Sequence, residues 1–319
     1  MTRTTRTARP LARALALVAL VALLALALTG CGGNAGSTTT PAEKPAAAFP
    51  ATITDDASRT VTVDAEPQRI VSLAPANTEM AFALGLGDKV VGVTTYDDYP
   101  AEVADIAKVG DFAAPNIEAV AAANPDLVLA TSGVQADVVT KLEELGATVV
   151  VIDPQTLDAV YADLERMGAV TGKTDAAAKL VADMKAGVAA VKKAVADKPP
   201  VTAFVEIGQN PLYTVGTGTL IDELVVLAGG TNVVKEPGYV AYSAEQLISA
   251  DPQVYMATKG SMSDPAQLAQ RAGFDKLAAV KNGRVVILDD NLVSRPGPRV
   301  VEGLESIAAA LHPDAFPQQ

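Results

Sequence analysis

The amino-acid sequence predicts an α/β protein with two lobes joined by a long rigid α-helix. A duplicated unit is the first reason, since residues 117–133 and 244–260 are identical at 6 of 17 positions. Each copy reads as a short amphipathic helix, a polar turn with proline, an apolar strand and a glycine turn. Strands and helices also alternate on both sides of a purely helical stretch, which is typical of βα units. Because the copies lie 127 residues apart, too far for a solenoid repeat, we expect a ligand site between two lobes.

The N-terminus predicts export and a lipid anchor. Residues 1–30 combine four arginines with an apolar stretch at 11–28, as a secretory signal does. The signal ends in Leu-Thr-Gly before Cys31, which resembles the lipobox of bacterial lipoproteins, where the cysteine is lipidated and becomes the first residue. Cys31 is the only cysteine of the chain. The alternative is a span through the bilayer, for which the apolar stretch is long enough. Residues 31–50 begin with Cys31 and are otherwise rich in small residues and proline, which predicts a flexible tether.

Composition limits the partners. Removal of residues 1–30 from 319 leaves 289 residues, enough for two lobes with hydrophobic cores. The net charge of −12 becomes −16 because four arginines are lost. Such an acidic chain without a basic stripe is a poor nucleic-acid binder, although its carboxylates suit a basic protein partner. No other segment reads as a membrane span.

The first lobe is predicted to occupy residues 51–155. Its elements are a β-hairpin at 51–63, strands at 70–74, 90–93 and 148–152, and the first copy of the repeat. A helix is predicted at 78–84, and a second helix ends at 142–146. Gly85 and Gly87 close the first of these helices.

Residues 156–198 are predicted to be connecting helices. The first begins near Thr156 and stops at Gly172, and the second begins with Thr174 as its N-cap and continues to Asp197. The second helix, about 23 residues or roughly 35 Å long, is expected to be a rigid strut. Residues 168–174 resemble a phosphate-binding loop, but they follow a helix and are one residue short, so we interpret them as a helix stop and restart.

The second lobe is predicted to occupy residues 199–319. Its elements are a strand at 201–207, a helix at 220–227, the second copy of the repeat, a strand at 284–288 and a helix at 299–311.

The sequence has too few histidines and cysteines for most catalytic mechanisms. The single histidine, His312, follows the last helix, so nucleophile–histidine pairs and multi-histidine metal sites are not predicted. We therefore expect no enzyme, no metal site and no cofactor. A carboxylate-based glycosidase is the rival interpretation, but no acidic pair occupies the cleft-side loops of both lobes apart from the two glutamates at helix starts.

Aromatic side chains are predicted to line the cleft. Tyr96 follows a strand of the first lobe, and Phe112 and Tyr239 precede the two repeat helices in what we expect to be loops. Rings on opposite walls suit a large, flat, partly apolar ligand. The alternative is that each ring packs over its own lobe.

Arg295 lies in a proline-rich loop that runs into the last helix. We expect this loop to hold Arg295 at a helix N-terminus, an unfavourable place for a cation unless an anionic group is near. Arg295 is thus expected to contact a ligand or an acidic residue such as Asp290. A surface salt bridge is the alternative.

Glu118 and Glu245 occupy the same position in the first turns of the two repeat helices. A carboxylate there is favourable for the helix dipole alone. Two of them on lobes joined by a stiff strut match a two-fold partner with basic pockets, which predicts docking to such a partner.

Three motifs carry a family resemblance: Arg-Ile-Val-Ser-Leu-Ala-Pro-Ala-Asn-Thr-Glu at 69–79, Tyr-Asp-Asp-Tyr-Pro at 96–100 and Asn-Ile-Glu at 116–118. The chain resembles the substrate-binding proteins of ABC importers for cobalamin, haem and iron–siderophores, and most of all their cobalamin-binding subgroup. The resemblance implies the class III periplasmic-binding-protein fold, two Rossmann-like lobes joined by a rigid helix.

The resemblance also assigns residues. It implies that Ala76 and Tyr96 touch the corrin, that Phe112 and Tyr239 stand where the subgroup has tryptophans, and that Arg295 lines the cleft. By the same resemblance Glu118 and Glu245 would engage arginines of the two permease subunits.

The sequence therefore predicts an extracytoplasmic protein, attached to the membrane by its lipid only, that captures cobalamin or a related corrinoid. It would deliver this ligand to an ABC permease dimer with cytoplasmic ATPase subunits, without ligating the cobalt. An iron–siderophore or haem carrier is the alternative within the class, with Arg295 and Arg299 meeting anionic ligand groups. An adhesion or sensor module is a further alternative.

Overall fold

The first lobe is built around a parallel sheet. A computed structural model describes residues 49–262 and 264–316 of the chain. The lobe begins with an antiparallel hairpin of β1 (Ala51–Thr54) and β2 (Thr60–Val63). Its sheet has the order β4-β3-β5-β6, with strands β3 (Ile70–Ser72), β4 (Val90–Gly92), β5 (Leu127–Ala130) and β6 (Val149–Val151), and its helices are α1 (Pro75–Ala83), α2 (Ile117–Ala122) and α3 (Ala136–Glu144). From β3 the chain forms β4 on one side of β3 and then β5 on its other side. The connections therefore diverge at the carboxyl ends of β3 and β5, where a crevice forms.

Two helices connect the lobes, as the sequence predicts. They are α4 (Leu157–Thr171) and α5 (Thr174–Val195), and Gly172 ends α4 in the left-handed conformation with φ 72°. Helix α5 has 22 residues, a length of about 33 Å. The prediction of Thr174 as an N-cap is wrong: the helix already includes Thr174, and Lys173 precedes it without a side-chain cap.

The second lobe holds a mixed sheet of six strands, in the order β10-β8-β7-β11-β12 with β9 also paired to β7. Its strands are β7 (Val201–Gly208), β8 (Tyr213–Val215), β9 (Gly230–Asn232), β10 (Tyr239–Ala241), β11 (Val254–Thr258) and β12 (Val285–Leu288). Its helices are α6 (Leu220–Leu227), α7 (Ala244–Ala250), α8 (Ala278–Lys281), α9 (Asp290–Val293) and α10 (Val300–Leu311). Strands β8 and β10 run antiparallel. The expectation of a loop at Tyr239 is wrong, because this residue pairs with Val215 in β10.

The duplicated unit folds the same way twice, as α2–β5 and α7–β11. Asn116 and Ser243 cap the two helices by accepting hydrogen bonds from the backbone N–H of the third helical residue. Each helix is followed by a residue with positive φ directly before a proline: Asn124 at 48°, one residue beyond the C-cap Ala123, and the C-cap Asp251 at 40°. Asparagine and aspartate tolerate this left-handed turn, which explains why the two copies keep a polar residue there.

The two lobes share a core. One continuous cluster of buried side chains includes Ile70 of β3, Leu164 of α4, Val181 of α5, Val205 of β7 and Leu304 of α10. Gly187 of α5 lies so close to Val301 of α10 that an added Cβ would come within 2.7 Å of it. The connecting helices are therefore packed into both lobes, which limits hinge motion.

The predicted signal, Cys31 and the tether up to residue 48 lie outside the described residues. Among residues 49–262 and 264–316, no helix combines the length and the hydrophobicity needed to cross a bilayer.

Candidate functional site

A cavity of about 380 Å³ lies between the carboxyl edge of the first sheet and a loop of the second lobe. The lining residues follow the ends of β3, β4, β5 and β6 or belong to the loop after α9. They are Ala74, Pro75, Ala76, Asn77, Tyr96, Asp111, Phe112, Ala113, Thr131, Ile152, Asp153, Pro154, Ser294, Arg295 and Pro296. The cavity therefore occupies the crevice that the strand order creates.

The start of α1 forms the floor of the cavity. Pro75 is well placed in the first helical turn because it lacks the N–H that a helix leaves unpaired there. Asn77 is 1% exposed, and its Nδ2 donates to the carbonyls of Ala130 and Ile152, each at 3.2 Å. One side chain thus ties α1 to the ends of β5 and β6.

Gln135 is a positioning residue that sequence reasoning missed. It is fully buried, and its Nε2 donates to the carbonyls of Leu73 and Phe112, both at 2.7 Å. Its Oε1 accepts from the backbone N–H of Thr131 at 2.9 Å. Gln135 therefore joins the ends of β3 and β5 to the Phe112 loop. A glutamine after a Gly turn resembles a surface residue, so only its tertiary contacts reveal this role.

A buried carboxyl supports the Tyr96 loop. Asp97 accepts a hydrogen bond from the backbone N–H of Thr94 at 3.0 Å and further bonds from the hydroxyls of Thr78 and Thr94. Burial raises the pKa of Asp97, and these hydrogen bonds only partly offset that effect. The adjacent Tyr96 is 58% exposed, so its ring is held at the mouth of the cavity and is available to a ligand.

Four charged residues form an interlobe ion cluster beside the cavity: Glu79 and Asp98 from the first lobe, Arg295 and Arg299 from the second. Arg295 Nη1 donates to Glu79 Oε1 at 2.9 Å and to Asp98 Oδ1 at 2.6 Å. Arg299 forms two bonds to the carboxylate of Glu79, at 2.9 and 2.6 Å, and its guanidinium lies 3.8 Å from the centre of the Tyr99 ring. The cluster thus holds the lobes together at the cavity mouth.

The expected environment of Arg295 is corrected in two respects. Its acidic partners are Glu79 and Asp98, whereas Asp290 accepts a bond from the backbone N–H of Gly260. Arg295 also does not begin a helix, since Arg299 is the residue that precedes α10. The anionic neighbours that we expected near Arg295 are therefore supplied by the opposite lobe.

The cavity is acidic on balance. Burial lowers the pKa of Arg295, but the bonds to Asp98 and Glu79 outweigh it and keep the guanidinium charged. Burial likewise raises the pKa of Asp98, and Arg295 more than offsets this, so the carboxyl stays ionised. The single lining cation is thus neutralised, while the lining carboxylates of Asp111 and Asp153 have no ion pair within the described part of the chain.

The structure brings Ala76, Tyr96, Phe112 and Arg295 together around the cavity. Tyr239 is not among the lining residues; it lies on β10 and is 52% exposed. The nearby Tyr242 packs on the core of its own lobe, with its ring centre 5.6 Å from that of Phe204. The first lobe and the Arg295 loop therefore supply this cavity wall.

Glu118 and Glu245 are exposed in the first turns of α2 and α7. Neither makes an ion pair or a side-chain hydrogen bond to another described residue. Beside Glu245 a shallow surface groove is lined by Tyr242, Gln246, Ser249 and Ala250. Both carboxylates are thus available to a partner.

The chain matches the family described as Periplasmic binding protein over residues 70–292, more than half of its length. It is 37% identical over 298 residues to the uncharacterized ABC transporter substrate-binding lipoprotein YvrC of Bacillus subtilis, covering 91% of this chain and 94% of the relative. The chain belongs to the periplasmic binding proteins. The family resemblance and the two-lobed fold predicted from the sequence are thereby confirmed.

Two solved structures are similar. A possible iron-binding, periplasmic solute-binding protein from Staphylococcus epidermidis has 33% identity and a TM-score of 0.71, with 78% of this chain and all of that chain covered. The periplasmic vitamin B12 binding protein BtuF of Vibrio cholerae has 30% identity and a TM-score of 0.68, with 79% and 99% covered.

Membership of this family defines the general role. The chain is an extracytoplasmic substrate-binding protein of an ABC transporter, of the class that serves cobalamin, siderophores and haem, and it is not an enzyme. Among the described residues no group of three or more His, Cys, Asp or Glu is placed to hold a metal ion. His312 is buried, with its Nε2 3.3 Å from the Gly229 carbonyl, so it is part of the packing of this periplasmic binding protein.

Proposed function

We propose that this periplasmic binding protein captures cobalamin or a related corrinoid between its lobes and delivers it to an ABC permease. The observation that carries the proposal is the charge balance of the cavity. Its walls are largely apolar, with Tyr96 and Phe112 as aromatic surface, and Arg295 is already neutralised. A corrinoid is a broad, partly apolar macrocycle that needs no cation from the protein, and Ala76, Tyr96 and Phe112 would contact it.

The similarity to the vitamin B12 binding protein of Vibrio cholerae supports the same ligand class. Pro75, Ala76 and Asn77, the first three residues of the Pro-Ala-Asn-Thr-Glu run at 75–79, line the cavity, where they would face the macrocycle. Smaller rings at Phe112 and Tyr239, where the subgroup has tryptophans, leave room for a corrinoid other than cobalamin. Tyr239 would meet the ligand only from the wider cleft, outside the present cavity lining.

An iron–siderophore or haem is the second candidate, and the similarity to the possible iron-binding protein of Staphylococcus epidermidis favours it. An anionic chelate would require Arg295 and Arg299 to leave Glu79. Separating these partly buried partners costs several kcal/mol unless the ligand replaces the lost bonds. Asp111 and Asp153 would also repel an anionic ligand.

Equilibrium titration of the full chain in detergent with cobalamin, a ferric siderophore and haem separates these candidates. We expect sub-micromolar binding of cobalamin or a related corrinoid, roughly −8 kcal/mol or better. The absence of corrinoid binding, together with tight binding of a siderophore or haem, would refute the corrinoid assignment.

We also propose that a lipid on Cys31 anchors the protein at the extracytoplasmic face of the membrane. The position of the single cysteine directly after Leu-Thr-Gly supports this, as does the description of the Bacillus subtilis relative as a lipoprotein. Lipid labelling of cells provides the test: Cys31→Ser is expected to yield an unlipidated or unprocessed product. Normal lipid labelling and membrane anchoring of this variant would contradict the proposal.

Delivery would use the two exposed glutamates. Glu118 and Glu245 lie at equivalent positions on lobes that share a continuous core, so their spacing is nearly fixed. We propose that they engage basic pockets of the two permease subunits, whose ATPase subunits lie in the cytoplasm.

A further inference from the structure

Two polar atoms at the cavity floor have no hydrogen-bond partner among residues 49–262 and 264–316. They are Asn77 Oδ1 and Thr131 Oγ1, in side chains that are 1% and 9% exposed. A buried polar atom without a hydrogen bond costs about 1–3 kcal/mol, so such atoms are rare and call for a physical reason. Both residues line the cavity. A ligand in the cavity is therefore a direct source of the missing bonds.

The orientation of Asn77 is determined by its other bonds. Its Nδ2 uses both hydrogens on the carbonyls of Ala130 and Ile152, which accept only. Oδ1 must therefore be the atom that points away from the strand ends. Thr131 follows Ala130 directly, so its hydroxyl belongs to the same part of the floor.

These two atoms complement a primary carboxamide. An amide N–H of the ligand would donate to Asn77 Oδ1, and the amide oxygen would accept from the Thr131 hydroxyl. A carboxylate has no proton for Asn77 Oδ1. It would also be repelled by Asp111 and Asp153, which line the same cavity without ion pairs of their own in the described part of the chain.

We propose that Asn77 and Thr131 form a subsite for a primary carboxamide at the edge of the ligand, which selects amidated corrinoids over their free acids. The proposal rests on the corrinoid function proposed above and adds a specificity-determining pair to it. Corrin rings carry their acidic side arms either free or amidated, so this choice is chemically meaningful for the ligand.

The test is a double-mutant cycle between protein and ligand. The probes are dicyanocobyrinic acid, with all peripheral carboxylates free, and its fully amidated counterpart. The protein variant is Thr131→Val, in the full chain in detergent, because Thr131 Oγ1 makes no hydrogen bond to another described residue. Stability should therefore stay unchanged in this variant, whereas Asn77 variants would also lose the bonds to two strands.

We expect wild-type protein to bind the amidated corrinoid at least roughly 10-fold more tightly than the acid. Thr131→Val should weaken binding of the amidated probe by roughly 3- to 10-fold and leave the affinity for the free-acid probe unchanged. The matched control is Thr171→Val in α4, where the hydroxyl donates to the Met167 carbonyl at 2.6 Å away from the cavity. That variant should lose stability but keep its affinity for both probes.

The outcomes distinguish failure of the carboxamide subsite from failure of the corrinoid function. Equal affinity of wild-type protein for both probes, or unchanged binding of the amidated probe by Thr131→Val, overturns the subsite while leaving the corrinoid function standing. Failure of wild-type protein to bind either probe overturns the subsite, and failure to bind cobalamin as well refutes the corrinoid function.

Discussion

Phe112 is the predicted aromatic residue with the firmest place in the cavity wall. It lines the cavity, and Gln135 holds its backbone carbonyl. Tyr239 is the residue of the opposite lobe that the sequence pairs with it, but it lies outside the lining. The two rings are therefore expected to contribute unequally.

Phe112→Ala should weaken corrinoid binding by about 1–3 kcal/mol, because a stacking ring is removed from a flat ligand. Tyr239→Ala should have a smaller effect, measurable in the same titration. Tyr213→Ala is the control, since this ring is 40% exposed and outside the cavity. Equal affinities for Phe112→Ala and wild type would contradict the placement of the ligand.

Glu79 is the residue on which the interlobe ion cluster depends. Its side chain is 2% exposed and accepts from both Arg295 and Arg299. Glu79→Gln should lower the free energy of unfolding by roughly 3 kcal/mol. The two partly buried guanidinium groups would lose the negative charge that offsets much of their desolvation cost. Urea denaturation measures this. The control is Glu66→Gln, which breaks an exposed pair with Lys89 and should change stability by less than about 1 kcal/mol. A similarly small effect of Glu79→Gln would contradict the stabilising role of the cluster.

At the scale of elements, α4 is fastened to the hairpin of the first lobe by a three-residue charge group. Asp163 of α4 and Asp56 after β1 both bind Arg166, the latter at 2.5 Å. The Asp163 side chain is fully buried. Burial first, and then the neighbouring Asp56, raise the pKa of Asp163 to about 8, against the opposing effect of Arg166.

A raised pKa in the folded state makes stability fall as pH rises. Below the ordinary pKa of 3.8 both states of Asp163 are protonated, and between there and about 8 only the folded state holds the proton. This group's contribution is therefore lost as pH rises from about 4 to about 8, with a slope of up to about 1.4 kcal/mol per pH unit. Asp163→Asn should abolish that component of the slope. Urea denaturation across this pH range tests it, and identical slopes for variant and wild type would refute the raised pKa.

The sequence predicts elements better than it predicts contacts. Helix α6 occurs at the predicted residues 220–227, and the duplicated unit folds as expected, because caps, turns and apolar periodicity are local signals. The sequence predicts a loop where strand β10 occurs, since an edge strand of three residues carries too little pattern. Ala76, Tyr96, Phe112 and Arg295 do meet around one cavity, but the family resemblance, more than any local pattern, brings them together.

What the sequence could not reveal depends on distant partners. The acidic partners of Arg295 belong to the other lobe, about two hundred positions away in the chain, and no local pattern reports such a pair. The role of Gln135 is hidden for the same reason, because its three bonds go to residues of separate strands and loops. Composition alone presents Gln135 as an ordinary surface side chain, and the loop around Arg295 predicts an acidic neighbour without showing which one.

For the whole molecule, capture and delivery are expected to be separable. Glu118→Ala with Glu245→Ala removes two exposed charges outside the cavity lining, so stability and ligand affinity should barely change. At a permease, loss of a charged partner at a desolvated contact costs several kcal/mol. The double variant should therefore bind corrinoid normally and fail to support uptake or to stimulate the permease ATPase.

Uptake assays in cells that depend on this importer provide the measurement. Glu102→Ala, at another exposed acidic position of the first lobe, is the control and should transport normally. Wild-type uptake by the double variant would contradict the docking role, and both glutamates would then only stabilise the N-termini of their helices.

The interlobe ion cluster also makes ligand entry a matter of conformational selection. A corrin with its side arms exceeds a space of about 380 Å³, so only molecules whose Glu79–Arg295 and Glu79–Arg299 bonds are transiently open are competent to load. These bonds can re-form beside a bound corrinoid, whereas an anionic chelate would have to keep them apart. The observed dissociation constant is then the intrinsic one divided by the competent fraction. Within the cluster only the Arg295–Asp98 pair has a largely exposed partner, so added salt should enlarge that fraction only slightly, whereas electrostatic steering of a charged ligand would be slowed. The same four side chains would restrain the empty protein, and a permease that draws the lobes apart to unload the ligand would have to break their bonds.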